Sequence, residues 1–120
     1  MTALIEGTHT AEFVVSMALG TLSVDTVTIV LGQDRKAGDV MGKITASGKY
    51  KIYDNAAVDG SEVAAGILWA AVDATAADKP GTLLERLAEV RAADLGWNGQ
   101  LQAAIDAGLV DLLAKNIKAR

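Results

Sequence analysis

The chain reads as an α+β domain, predominantly β, with one C-terminal amphipathic helix. Three observations predict it: short runs in which β-branched and polar residues alternate, glycine-marked turns between them, and one apolar stripe at helical spacing near the end. At 120 residues there is room for one domain, or for one domain with a tail.

Residues 1–11 hold Thr2, Thr8, Thr10 and the single histidine, His9, without bulky apolar periodicity, and read as a flexible arm. Phe13, Val14 and Val15 form a short apolar patch, and Gly20 marks a turn. Thr8–Ser16 is expected to be extended but not self-sufficient, because a lone strand needs a partner edge. The expected division is an N-terminal arm over residues 1–22 and a body over residues 23–120.

Val24–Leu31 is the clearest strand, with Thr26 and Thr28 alternating against Val27 and Ile29. Gly32–Gly38 reads as a polar loop, Val40–Thr45 as a second strand and Ser47-Gly48 as a turn. Lys49–Tyr53 reads as a third strand, with Tyr50 and Ile52 on one face and Lys49, Lys51 and Tyr53 on the other. Asp54–Gly60 is a loop ending on an Asp-Gly turn pair. Val63–Val72 is a ten-residue apolar run; its alanines suit a helix, but Gly66 and the surrounding strands favour a strand. Asp73–Gly81, with the only proline at Pro80, reads as a loop.

Leu83, Leu84, Leu87 and Val90 recur at helical spacing, so pattern alone predicts a helix over Leu83–Val90. The final stripe is Leu101, Ala104, Ile105, Gly108, Leu109, Leu112 and Leu113, a helix face with Asp106 and Asp111 off it. Asn98 is its expected N-cap. Gly108 would permit a close contact or a kink. Asn116 would end the helix in the left-handed conformation, leaving Ile117–Arg120 as an extended tail.

Apolar residues make 51% of the chain and charged residues 22%, which excludes a fully disordered polypeptide. Yet alanine and glycine together occupy 34 positions and only five residues are aromatic. At roughly 25 cal/mol per Å² of buried apolar surface, small side chains predict a modest core that subunit contacts would reinforce.

The absence of cysteine removes disulfides, zinc-thiolate clusters and thiol nucleophiles. The longest uncharged run, Phe13–Val24, is 12 residues and too short to span a bilayer. No basic residue precedes it and Glu6 and Glu12 interrupt the approach, so a cytoplasmic product without a secretory signal is expected. Residues 1–34 carry Glu6, Glu12, Asp25 and Asp34 with no Lys or Arg, so the whole net charge of −4 resides there. Such an acidic leader fits a protein partner and lacks the clustered bases of a nucleic-acid footprint.

No residue set points to catalysis, a cofactor or a metal. Gly38–Thr45 is similar in outline to a phosphate loop, but three residues separate its glycines where four are needed, and Ile44 follows Lys43 where Ser or Thr must hold magnesium. Asp54, Asp59 and Glu62 miss calcium-loop spacing, since Ala56 and Val58 fall at ligand positions. His9 would have to support a triad from the arm, and Ser16, Ser23, Ser47 and Ser61 lie in no nucleophile motif. Trp69 and Trp97 are expected as core or subunit-interface anchors. An acidic arm ahead of a β-rich body suits binding by strand addition. The rival readings are a small non-catalytic protein-binding adaptor module and an enzyme whose scattered carboxylates converge.

The sequence also resembles the head decoration, or capsid cement, proteins of tailed bacteriophages, the group related to the lambda decoration protein. The matching stretches run in order: Thr10-Ala11-Glu12-Phe13-Val14-Val15-Ser16, Thr26-Val27-Thr28, Leu31-Gly32-Gln33, Lys36-Ala37-Gly38-Asp39-Val40-Met41-Gly42-Lys43-Ile44 and Ser47-Gly48-Lys49-Tyr50. They continue with Asp59-Gly60-Ser61-Glu62-Val63-Ala64-Ala65-Gly66-Ile67-Leu68, Ala88-Glu89-Val90, Ala93-Asp94-Leu95 and the Leu113, Ile117, Arg120 ending. Departures are Ala92-Ala93 beside Asp94, Trp97-Asn98-Gly99 where a proline turn is common, and Asn116 where glycine is usual.

The resemblance implies a β-clip-like fold with a packed helix, extended chain over Leu83–Ala88 and no catalysis. It implies a homotrimer that binds the major capsid protein at local three-fold positions of the expanded head, on the outer surface of the virion, and holds the shell against internal DNA pressure. Together with composition and charge it points to Thr8, Thr10, Glu12, Phe13, Val14 and Val15 as a capsid-binding arm.

Overall fold

The computed structural model describes residues 10–17 and 22–120; Thr8, His9 and the expected turn at Gly20 lie outside the described residues. Its strands are Val14–Met17 (β1), Val24–Ile29 (β2), Gln33–Arg35 (β3), Val40–Lys43 (β4), Tyr50–Ile52 (β5), Ala64–Leu68 (β6), Val72–Ala74 (β7), Lys79–Leu84 (β8), Ala88–Val90 (β9) and Ile117–Ala119 (β10). A 3₁₀ turn at Ala92–Asp94 and the helix Gln102–Ala114 (α1) precede the last strand. The class is as expected, mostly β with a C-terminal helix.

Five strands close a small barrel in the order β2-β5-β4-β6-β8, while β1-β9-β10 form a separate sheet and β3 and β7 a two-stranded ribbon. Adjacent residues in the barrel wall serve two different interiors. Met41, Ala65, Leu68 and Leu83 pack with Ile29, Tyr50 and Ile52. Val40, Ala64, Ile67 and Leu84 pack outward with Phe13, Tyr53, Val90, Leu112 and Ile117, under α1 and the three-stranded sheet. The period-two geometry of a strand sends neighbours to opposite faces. Both faces of β6 are therefore covered, and all five of its residues are buried. A bulge opposite Met41 and Gly42 inserts one extra residue in β6, which brings Ala64 and Ile67 to the same side.

Several expectations are corrected. Gln33–Arg35, read as loop, pairs antiparallel with Val72–Ala74. Lys79–Gly81, also read as loop, belongs to β8 despite Pro80. There β6 reaches β8 only at Leu83 and Leu84, so Pro80 has a single barrel neighbour and its missing donor is tolerated. The helical spacing across Leu83–Val90 comes from two strands: Leu83 and Leu84 end β8, Leu87 turns the chain at φ 55°, and Val90 ends β9. Tyr53, placed by alternation beside the lysines, is fully buried, because β5 ends at Ile52 and the chain turns Tyr53 into the larger core.

The helix begins at Gln102 with Leu101 as its N-cap, and Asn98 sits in a left-handed turn upstream. Gln100 fastens that turn: its side-chain amide donates to the Tyr53 carbonyl (2.6 Å) and the Trp97 carbonyl (3.0 Å) and accepts from the Asn55 N–H (2.9 Å). The stripe is narrower than expected, with Ala104, Gly108 and Leu112 buried and Leu101 and Leu113 outward. Asn116 does adopt the left-handed conformation (φ 61°), and the tail beyond it is extended. That tail is a paired strand, parallel to β9. Trp69 and Trp97 are partly buried against the larger core, Trp97 meeting Tyr53 edge-on at 5.8 Å.

Candidate functional site

The sheet β1-β9-β10 gathers both ends of the described chain, and its rows decide which residues face out. Met17, Ala88 and Ile117 form one row, Ser16, Glu89 and Lys118 the next, and Val14, Val90 and Ala119 the third. Ala88, Val90 and Ile117 are buried, so the first and third rows face the core and the middle row faces solvent. On that outer face Ser16 Oγ donates to Glu89 Oε2 (3.3 Å) and Arg120 Nη2 donates to Glu89 Oε1 (2.9 Å). The hydrogen bond from Arg120 holds the Glu89 carboxyl below its ordinary pKa.

Of the arm residues singled out by sequence, Thr8 lies outside the described residues, and Thr10 and Glu12 are exposed. Phe13 is fully buried among Val40, Tyr53 and Leu84, so its aromatic ring anchors the segment to the body. Backbone bonds reinforce the anchor: the Ala11 N–H donates to the Trp69 carbonyl (2.9 Å), and the Arg91 N–H to the Phe13 carbonyl (2.7 Å). Val14 is half-buried opposite Val90. Val15 sits where the register shifts between Val14 and Ser16, and the bulge leaves its side chain 48% exposed.

A second polar cluster lies at the start of β2. Arg86 Nη1 donates to the Leu22 carbonyl (2.7 Å), and Nη2 reaches Asp25 (2.5 Å) and Glu85 (2.8 Å). The Tyr50 hydroxyl donates to Glu85 Oε1 (3.0 Å). Burial pushes the Glu85 carboxyl up, and side-chain hydrogen bonds with Glu85 and Arg86 hold Asp25 down. Burial, then the neighbouring Glu85 carboxylate, pushes the Tyr50 phenol up to about 12. The cluster ties β2, β5 and the end of β8 together.

The acidic loop is occupied by its own backbone. Asp59 accepts from Ser61 Oγ (2.6 Å), the Ser61 N–H (3.0 Å) and Lys51 Nζ (3.2 Å), which brings its carboxyl down to about 2. Glu62 accepts from the Gly60 N–H and Asp54 from the Ala56 N–H. Among the described residues no group of three or more His, Cys, Asp or Glu is placed to hold a metal ion. No helix among them is long and apolar enough to cross a membrane.

Comparison with known families decides what this surface belongs to. The family model described as bacteriophage lambda head decoration protein D matches residues 3–117, nearly the whole chain. The chain belongs to this family. It is a head decoration protein, a structural component of the phage capsid surface. Among individual curated proteins there is no match.

The stretches that carried the resemblance are largely fold determinants of the head decoration protein. Ala64–Leu68 is the strand shared by two cores, Asp59-Gly60-Ser61 is the self-bonded turn, and Gly38 and Gly60 have φ of 91° and 109°. The outward row Ser16, Glu89 and Lys118 was missed by sequence reasoning. The available signal was the period-two alternation of Ile117 and Ala119 with Lys118 and Arg120.

Proposed function

We propose that this head decoration protein binds the expanded phage shell as a homotrimer at local three-fold positions, contacts the major capsid protein there, and strengthens the shell against the pressure of packaged DNA. The observation that carries the reading is the family match over residues 3–117. Synthesis takes place in the host cytoplasm and assembly on the outer surface of the head. The protein acts through binding alone and needs no cofactor.

The N-terminal segment is the shell-binding arm in this reading. Thr8 belongs to that arm; Thr10, Glu12 and Val15, which are exposed, meet the shell, and Phe13 and Val14 fix the root of the arm to the body. Its support is the exposed apolar Val15 at an edge strand, together with the acidic charge concentrated before residue 35. A trimer presents three such arms in fixed geometry, so avidity rises on the order of 10²–10⁴-fold over one contact. Shell binding in turn stabilises a small alanine-rich body by linkage.

The test mixes purified expanded shells lacking decoration with the full chain and with a variant that lacks residues 2–9 and carries Glu12→Gln and Val15→Ser, scored by electron microscopy. That deletion spares Phe13, the buried anchor of the segment. The full chain should occupy three-fold positions and raise the rupture temperature, and the variant should lose occupancy. Equal occupancy by the two proteins would refute the arm, and no occupancy by the full chain would refute the function. Sedimentation at high concentration should show a trimer.

A further inference from the structure

Strand β10 is an outer strand of its sheet and, among the described residues, is paired on one side only. Its parallel ladder to β9 uses alternate residues: Asn116 accepts from the Ala88 N–H, and Arg120 donates to the Val90 carbonyl and accepts from the Ala92 N–H. The alternation directs the N–H and C=O of Ile117 and Ala119 to the opposite side. Among the described residues no strand pairs with β10 on that side. A groove of about 220 Å³ runs along this edge, lined by Leu109 and Leu113 of α1 and by Ile117, Lys118 and Ala119. Leu113 is 59% exposed beside it. After Asp111 the chain carries Lys115, Lys118 and Arg120 and no acid.

We propose that this edge accepts an extended segment of the capsid shell protein as a fourth strand, an inference that rests on the capsid-binding reading above. The geometry specifies the chemistry of the segment. Residues beside Ile117 and Ala119 fall on the helix side of the sheet, over Leu109 and Leu113, and are apolar. The residue beside Lys118 falls on the solvent face and is acidic, matching the basic chain end. Backbone hydrogen bonds supply the affinity, and the apolar–acidic–apolar alternation supplies the selection. The shell contact then spans the sheet, with the arm leaving from β1 and the shell strand arriving at β10.

Ala119→Pro tests it, because the ring removes a donor that points away from β9 and leaves the β9 ladder intact. Lys118→Gln is a second test: it removes the charge at an exposed position without setting a carboxylate opposite Glu89. Both variants should melt like the parent and bind decoration-free expanded shells about tenfold more weakly or worse. Reconstructions of decorated shells should show a shell-protein strand about 4.8 Å from β10. Parent-like shell binding by both variants would overturn the inference while leaving the arm intact. A second copy of the chain beside β10, or a change confined to sedimentation, would overturn it too. If the parent itself never decorates shells, the capsid-binding reading fails first and is identified as such.

Discussion

Gly108 of α1 lies against the indole of Trp97 so closely that a β carbon there would sit 2.5 Å from the ring and 3.0 Å from Tyr53. The helix is seated on the body at this point, beside the buried Ala104 and Leu112. Gly108→Ala gains about 1 kcal/mol of helix propensity, but overpacking of this kind costs about 1–3 kcal/mol. The second effect prevails, because the obstruction is a ring held between the helix and Tyr53. Chemical denaturation should show a net loss of up to about 2 kcal/mol.

Tyr53 continues the same contact. Its hydroxyl donates to the Ala104 carbonyl at 2.8 Å, joining the helix to residues 51 positions earlier. Tyr53→Phe keeps the ring and loses that bond, so unfolding free energy should fall by about 1 kcal/mol. The double variant with Gly108→Ala should be non-additive, since the two changes share one contact.

Asp59 governs part of the acid response. Its folded pKa is depressed from 3.8 to about 2 by the Ser61 hydroxyl and backbone, so its contribution is present above pH 3.8 and is lost as pH falls toward 2. Asp59→Asn should lower stability at pH 7 and flatten the stability profile between about pH 4 and 2. An unaltered acid profile in denaturant melts would contradict this.

Tyr50 acts at the other extreme. Its phenol is raised from 10.0 to about 12 by burial and by Glu85, so the folded state keeps a proton that the unfolded chain releases. Its contribution is complete below pH 10 and declines as pH rises toward 12. Tyr50→Phe should flatten that decline, read as the denaturation midpoint against pH from 8 to 11.5 or so.

Elements whose patterns arise within one strand or helix were legible in the sequence: β2, β4, β5 and α1 fall where alternation or helical spacing places them, whereas the apolar run Val63–Val72, read as one strand, holds β6 only to Leu68 and gives Val72 to β7. Asn116 was legible because asparagine tolerates the left-handed conformation that ends a helix. What misled was any pattern spanning a boundary. Leu83, Leu84, Leu87 and Val90 imitate a helix because two strands and a turn fall at that spacing. Pro80 suggested a loop because nothing local shows that β8 has one barrel neighbour there. At the candidate site, the exposure of Val15 depends on a bulge and the burial of Phe13 on a core assembled from distant strands. The free edge of β10 exists only because β9, some 30 residues earlier, pairs with it on one side.

The strand walled in on both sides carries a consequence for how the molecule reaches its native state. If β6 slid by a single position, Ile67 and Leu68 would exchange compartments, and both interiors would be filled with the wrong shapes at once. An alignment error that a one-sided sheet would penalise once is penalised twice here. A chain in which alanine and glycine take 34 of 120 positions, with few bulky groups to tell one alignment from another, acquires in this way an internal proofreader.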